Sequence, residues 1–230
     1  METQLPVDPQ IQVLLDRGTG VPATHTLPVA VARTQYEARI ALMAPPAEIA
    51  GLREHTIDGP GGPLRIRLYT PRGTGPFPLL VFFHGSGFVL CSLDTHDGMC
   101  RNLCAGAGCA VASVDYRLAP EHKFPAAIDD CLHATRWAAA HAAELGANAR
   151  HIAVGGDSAG GNMAAVTALR VRDEGELYAE KLRAAGVPIA LTRYDGVNHG
   201  FMFWVGVVDK SGAAMNEACE WLRGVFGGLR

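Results

Sequence analysis

The chain has 230 residues, a formal net charge of −3, 48% hydrophobic and 19% charged residues, enough to bury the core of one domain with at most a small appendage. This balance excludes the basic surface of a nucleic-acid binder, and no apolar run approaches the roughly 20 residues of a bilayer span. The opening "METQLPVDPQ" places an acid early and lacks a basic-then-apolar layout, so the expectation is a cytoplasmic protein without a signal peptide and without nucleic-acid or membrane partners.

In chain order, "DPQIQVLLDRG" and "LPVAVARTQYEARIALMAP" read as helices, with Ile11, Leu14 and Leu15 on one apolar face and Ile40 and Met43 on another. The proline-rich "MAPPAEIAG" closes this part, so residues 1–50 form a helical appendage and 51–230 the core. The period then changes. "LREHTID" and "PLRIRLYTP" alternate around "GPGG" and read as a hairpin. "PLLVFFH" is a nearly continuous apolar run, as expected of a strand covered on both faces, and "CAVASVDY" and "HIAVGG" repeat it. Helical segments at 97–106 and 125–146 lie between them; "VPIALTRYDG" follows as a strand and "KSGAAMNEACEWLRGVF" as a closing helix. Strands alternating with helices predict an α/β fold with a mostly parallel sheet and helices on both faces.

Cys91, Cys100, Cys104, Cys109, Cys131 and Cys219 are scattered among these elements, which predicts reduced, buried thiols rather than disulfides. Cys100 and Cys104 lack a second pair to complete a zinc site. His84, Asp94, His96 and Asp97 cluster locally, but no metal and no cofactor is expected.

"HIAVGGDSAGGNMAA" carries the most chemistry. Gly156-Asp157-Ser158-Ala159-Gly160 fits G-x-S-x-G between an apolar strand and an Ala-rich helix, where a serine on a tight strand-to-helix turn exposes its Oγ. The following helix directs its first N–H groups at the reacting centre. In "FFHGSGFVL", the loop after a buried strand can offer the amides of Ser86 and Gly87, with that of Ala159, to a developing oxyanion. His84 reads as a strand-end histidine that orders this loop rather than as a base. A serine hydroxyl needs a base, and His199 in "YDGVNHGF" has the chain order and loop setting for it.

With these residues in view, the chain resembles the bacterial hormone-sensitive-lipase-like carboxylesterases of the α/β-hydrolase superfamily, through "HGSGF", "DYRLAPEHKFPAAIDD", "GGDSAGGN", "RDEGELYAEKLRAAGVP" and "YDGVNHGF". The family usually has His-Gly-Gly-Gly where this chain has His84-Gly85-Ser86-Gly87; a backbone N–H does the work, so serine is tolerable there. The resemblance implies an N-terminal helical cap and hydrolysis of short- to medium-chain esters through an acyl-enzyme on Ser158, without metal or cofactor. The alternative is a non-catalytic, hydrolase-like ligand binder or an inactive truncated product.

The chain also departs from the family, whose triad aspartate lies in a D-P-L-R-D-E-G pattern. Here "RDEG" follows "ALRV", which belongs to the nucleophile helix, so the chain reads as joined across 170–174. Several tens of residues, two core strands and the triad acid are then absent. Asp173 matches the later aspartate of the pattern and does not inherit the role. Ala164, Ala168, Val171, Gly175, Tyr178, Leu182 and Ala185 keep helical spacing across the join, so a single crossover helix can be built. The shortened sheet exposes core surface unless the last strand moves inward or a second copy covers it in a homo-oligomer. The Ser158–His199 distance is what the join puts at stake. Asp195, four residues before His199, is the nearest local carboxylate that could orient the imidazole, although a short loop rarely lets an aspartate reach its neighbour's Nδ1.

Overall fold

The computed structural model describes residues 6–85, 87–171, 192 and 194–227. The "RDEG" join, and with it most of the last expected strand, falls in 172–191 and lies outside the described residues.

Helix α1 (Pro9–Arg17) starts where the sequence supplies both an N-cap and a proline: Asp8 Oδ1 accepts from the Gln10 amide at 2.9 Å, and Pro9 takes the first position. Helix α2 (Val29–Glu37) is shorter than its apolar periodicity suggests. The chain tightens into a 3₁₀ turn (Ala38–Leu42) and becomes extended at Met43, because Pro45 and Pro46 cannot continue a helix.

Strands β1 (Gly51–Gly59) and β2 (Gly62–Thr70) form the expected hairpin, with Gly51 opposite Thr70 and Gly59 opposite Gly62. β3 (Phe77–Phe83), β4 (Ala110–Val114) and β5 (Ala147–Gly156) follow, and the described strands lie in the order β1-β2-β4-β3-β5. β2 meets β4 antiparallel, whereas β3 runs parallel to both β4 and β5. The sheet is therefore mixed, with a parallel core.

Helices α3 (Asp97–Ala107), α4 (Ala126–Ala140), α5 (Ala159–Val171) and α6 (Asp209–Gly227) cover it. The period of two along β3 divides the core. Leu79, Val81 and Phe83 pack with Ile128, Cys131, Ala134 and Ala138 of α4 and Met163 of α5. Leu80 and Phe82 pack with Met99, Leu103 and Cys104 of α3 and Met215, Cys219 and Leu222 of α6. This two-sided burial is why the β3 sequence is a continuous apolar run.

α4 ends at Ala140 rather than near 146. His141 caps it through its amide to the Trp137 carbonyl, and its ring stacks on Trp137 with centroids 4.9 Å apart. The chain then turns into β5 through Gly146, at a φ of 69°. All six cysteines are free. Burial pushes the thiols of Cys100, Cys104 and Cys109 up to about 12, so they behave as small apolar side chains. No helix among the described residues is long and apolar enough to cross a membrane.

Candidate active site

Ser158 stands between the end of β5 and the start of α5, at a φ of 50°. A non-glycine residue in the left-handed region costs on the order of 1–3 kcal/mol and persists only where its surroundings impose it. Here the two motif glycines impose it. A Cβ on Gly156 would lie 2.4 Å from the Phe83 carbonyl oxygen and 2.5 Å from the Gly160 carbonyl carbon. A Cβ on Gly160 would lie 1.8 Å from the same Phe83 oxygen. The end of β3, the elbow and the first turn of α5 thus pack backbone against backbone. The Gly160 amide closes the elbow on the Asp157 carbonyl at 2.7 Å, and the Asn162 amide bonds the Ser158 carbonyl at 3.1 Å. Ala159 opens α5, so its N–H is among those with no intrahelical acceptor, next in the chain to Ser158.

The glycine-rich loop after β3 is locked from below. The Gly85 amide donates to Asp157 Oδ1 at 2.7 Å, and a Cβ on Gly85 would lie 2.1 Å from Asp157 Oδ2. The amide of Gly85 is therefore spent on positioning the loop. Gly87 follows at a φ of 56°, facing the same cavity as Ser158, while Ser86 lies outside the described residues.

His96 Nε2 lies 3.2 Å from Asp157 Oδ1, a close contact rather than an aligned hydrogen bond. Burial acts to raise the pKa of Asp157. The contacts from His96 and the Gly85 amide outweigh it and hold the carboxyl below its ordinary value.

The His84–Asp97 cluster resolves into separate contacts. Asp94 pairs with Arg67 at 2.8 Å, Asp97 with Arg101 at 2.6 Å, and His96 with Asp157. His84 is fully buried, stacked on Tyr116 with centroids 4.3 Å apart, and its carbonyl accepts from the Tyr116 hydroxyl at 2.6 Å. Burial and the neighbouring His96 push the His84 pKa down to about 3, which leaves it a neutral strut under the loop.

His199 Nε2 lies 2.7 Å from Ser158 Oγ. The turn that carries it is tied to the N-terminal segment. The Asp8 amide donates to the Gly196 carbonyl at 2.7 Å; Lys210 Nζ reaches the Asp195 carbonyl at 2.9 Å and Asp8 Oδ2 at 3.0 Å. Gln10 Oε1 accepts from the Asp209 amide at 2.7 Å. On the opposite lip, Arg33 of α2 donates to the carbonyls of Val89 and Ala119 at 2.9 and 3.0 Å and forks onto Glu121 with two 2.8 Å bonds. The first fifty residues thus clamp both the His199 turn and the region beyond the glycine loop.

Between these parts lies a cavity of about 370 Å³. Ser158, His199, Gly87 and Asp157 form its polar end; Met43, Leu90, Phe203 and Trp204 line it with apolar surface, and Tyr36 and Arg39 reach in from the N-terminal segment. The structure brings the serine and the histidine singled out in the sequence into contact, beside the glycine-rich loop. Sequence reasoning missed Asp157 as the tie between loop and elbow, although Asp157 is the first of the two variable positions inside the G-x-S-x-G match. It also missed Lys210 and Asp8, whose pairing spans some two hundred positions and leaves no local pattern.

The family model described as the alpha/beta hydrolase fold matches residues 80–177. Esterase LipI of Mycobacterium tuberculosis is 55% identical over 122 residues, covering 52% of this chain and 38% of that protein. Carboxylic ester hydrolase LipN of the same organism is 44% identical over 172 residues, covering 73% of this chain and 46% of that protein. The chain spans about half the length of the curated relatives it matches. Among solved structures, a hyperthermophilic esterase from the archaeon Pyrobaculum calidifontis superimposes with a TM-score of 0.88 at 30% identity, over 98% of this chain and 100% of that one. With the parallel sheet core, the strained serine turn between strand and helix and these relatives together, the chain belongs to the hormone-sensitive-lipase-like branch of the α/β-hydrolase family.

Proposed function

We propose that the protein hydrolyses carboxylic esters of short to medium chain length through an acyl-enzyme on Ser158. The observation that carries this reading is the 2.7 Å contact between His199 Nε2 and Ser158 Oγ on a strained elbow that opens into a largely apolar cavity. In the first half-reaction, Ser158 Oγ attacks the ester carbonyl carbon while His199 Nε2 takes the hydroxyl proton. The amides of Ala159 and Gly87, with that of Ser86, receive the oxyanion, a contribution worth roughly 2.7–4 kcal/mol per donor. The tetrahedral species collapses with loss of the alcohol, which carries away the proton held on His199. Water, deprotonated in turn by His199, then cleaves the acyl-enzyme to the free carboxylic acid and restores Ser158.

No residue is assigned as triad acid. A serine site stripped of that member loses roughly 10⁴ in turnover yet retains oxyanion-hole catalysis, so the expected activity is slow. Asp195 is the local candidate, and a loss of about 10⁴ in Asp195→Asn would give it the role. In place of an acid, the ties from Asp8 and Lys210 hold the His199 turn. Steady-state hydrolysis of p-nitrophenyl butyrate tests the reading: Ser158→Ala and His199→Asn abolish the enzyme-dependent rate. A wild type no faster than Ser158→Ala at high enzyme concentration returns the chain to the alternative of a non-catalytic ligand binder.

A further inference from the structure

Arg39 sits in the 3₁₀ turn after α2, half-buried, with its guanidinium 4.0 Å over the ring of Tyr36. Stacking holds the planar group in place while leaving its edge N–H donors free to point away from the ring. Among the described residues no carboxylate pairs with it, in contrast to Arg33, Arg67 and Arg117, each of which is matched to an acid. Arg39 also stands at a boundary. It lines the Ser158 cavity and, with Asn198 and Trp204, a second cavity of about 520 Å³ against α1.

The charges that face the second cavity have one sign. The second cavity is lined by apolar residues such as Leu14, Leu15 and Leu42, by two arginines, Arg17 and Arg39, and by no acid. In the first cavity Cys91 is kept neutral, because burial pushes its thiol up to about 11. The one carboxylate there, Asp157, is already engaged by the Gly85 amide and His96. A cation in a partly desolvated apolar cleft, with its donors unspent, favours a planar anion over water more than an exposed arginine does.

We infer that Arg39 is a specificity-determining residue that selects esters whose acyl arm ends in an ionised carboxylate, that is, monoesters of dicarboxylic acids. The inference rests on the esterase reading above. The ester carbonyl sits at Ser158, the methylene chain passes Trp204, and the distal carboxylate meets the Arg39 fork. Turnover follows the same steps, releasing the alcohol first and then, with one water, the dicarboxylate.

The test measures ethanol release from monoethyl adipate and from diethyl adipate by wild type, Arg39→Gln and Arg39→Lys. The ratio of kcat/KM, monoester over diester, falls about tenfold in Arg39→Gln, the factor corresponding to about 1.4 kcal/mol. Arg39→Lys retains part of it, and the wild-type ratio declines with added salt. A ratio equal in wild type and Arg39→Gln overturns the inference. Adipate binding to Ser158→Ala, followed by calorimetry, separates this failure from that of the esterase reading. Binding that survives the added Arg39→Gln change overturns the anion site whatever the turnover. Arg39-dependent binding with neither ester hydrolysed upholds the anion site and overturns the esterase reading instead.

Discussion

Replacing Gly160 by alanine adds one methyl group where the structure has no room. The new Cβ would meet the Phe83 carbonyl oxygen at 1.8 Å, the Phe83 carbonyl carbon at 2.6 Å and the His84 carbonyl carbon at 2.9 Å, all of them backbone. Real contacts of this kind essentially never fall below 3.0 Å, so α5 and β3 must separate by roughly 1.2 Å. Overpacking of this kind costs about 1–3 kcal/mol. With a urea slope of about 2–3 kcal/mol/M, the midpoint falls by roughly 0.3–1.5 M. The same displacement carries Ser158 and the Ala159 amide away from His199, and a misplacement of about 1 Å lowers kcat/KM by about 10². Two glycines calibrate the effect. At Gly161 the nearest atom to an added Cβ is the Gly156 backbone oxygen at 3.2 Å, a tight contact that needs a shift of only a few tenths of an ångström, so Gly161→Ala costs less than Gly160→Ala. At Gly212 of α6 nothing lies within 4 Å, and Gly212→Ala gains up to about 1 kcal/mol from helix propensity. Urea titration and p-nitrophenyl butyrate kinetics on the three variants decide the matter. A Gly160→Ala protein with wild-type midpoint and kcat/KM refutes backbone-on-backbone packing as the origin of the elbow.

Lys210→Met removes the tie between Asp8 and the Asp195 carbonyl, so kcat falls while KM changes little; an unchanged kcat in stopped-flow and steady-state assays denies the N-terminal segment a part in holding His199. Arg33→Met releases α2 from Val89, Ala119 and Glu121, and the loss of about 1 kcal/mol of clamp energy lowers kcat/KM roughly fivefold, read against a Tm measured in parallel. His84 is neutral in the fold, with its pKa near 3, and protonated below about 6.5 when unfolded. Between these values the unfolded state binds the extra proton, so stability drops as pH falls, by up to about 1.4 kcal/mol per pH unit. Its ring Cε1–H resonance, followed by NMR, stays at the neutral position down to pH 4, whereas titration near pH 6 contradicts its placement.

The layered core was legible because both of its signals are local. The two-sided burial of β3 writes a continuous apolar run, and the elbow writes glycines that cannot carry a side chain. The ends of elements were less so. α2 stops at Glu37 under the influence of prolines eight and nine residues on, and α4 ends early because His141 stacks on Trp137, an interaction between side chains that periodicity does not encode. In the site, Ser158 and His199 could be paired from chain order alone. The parts that hold them could not. Asp157 gains its role from a glycine amide 72 positions away, and the local cluster around His96 splits in the fold as Asp94 and Asp97 turn to Arg67 and Arg101. Arg39 carries no sequence signal, since its position between two cavities depends on how the N-terminal helices lie over the core.

The central claim is that Ser158, activated by His199, is a working nucleophile. Intact-mass analysis after incubation with paraoxon tests it without reference to any natural substrate. The account predicts addition of one diethylphosphoryl group to the wild type, localised to the peptide containing Ser158, slowed strongly in His199→Asn and absent in Ser158→Ala. A wild type that stays unmodified while folding cooperatively, or that is labelled equally in Ser158→Ala, contradicts it.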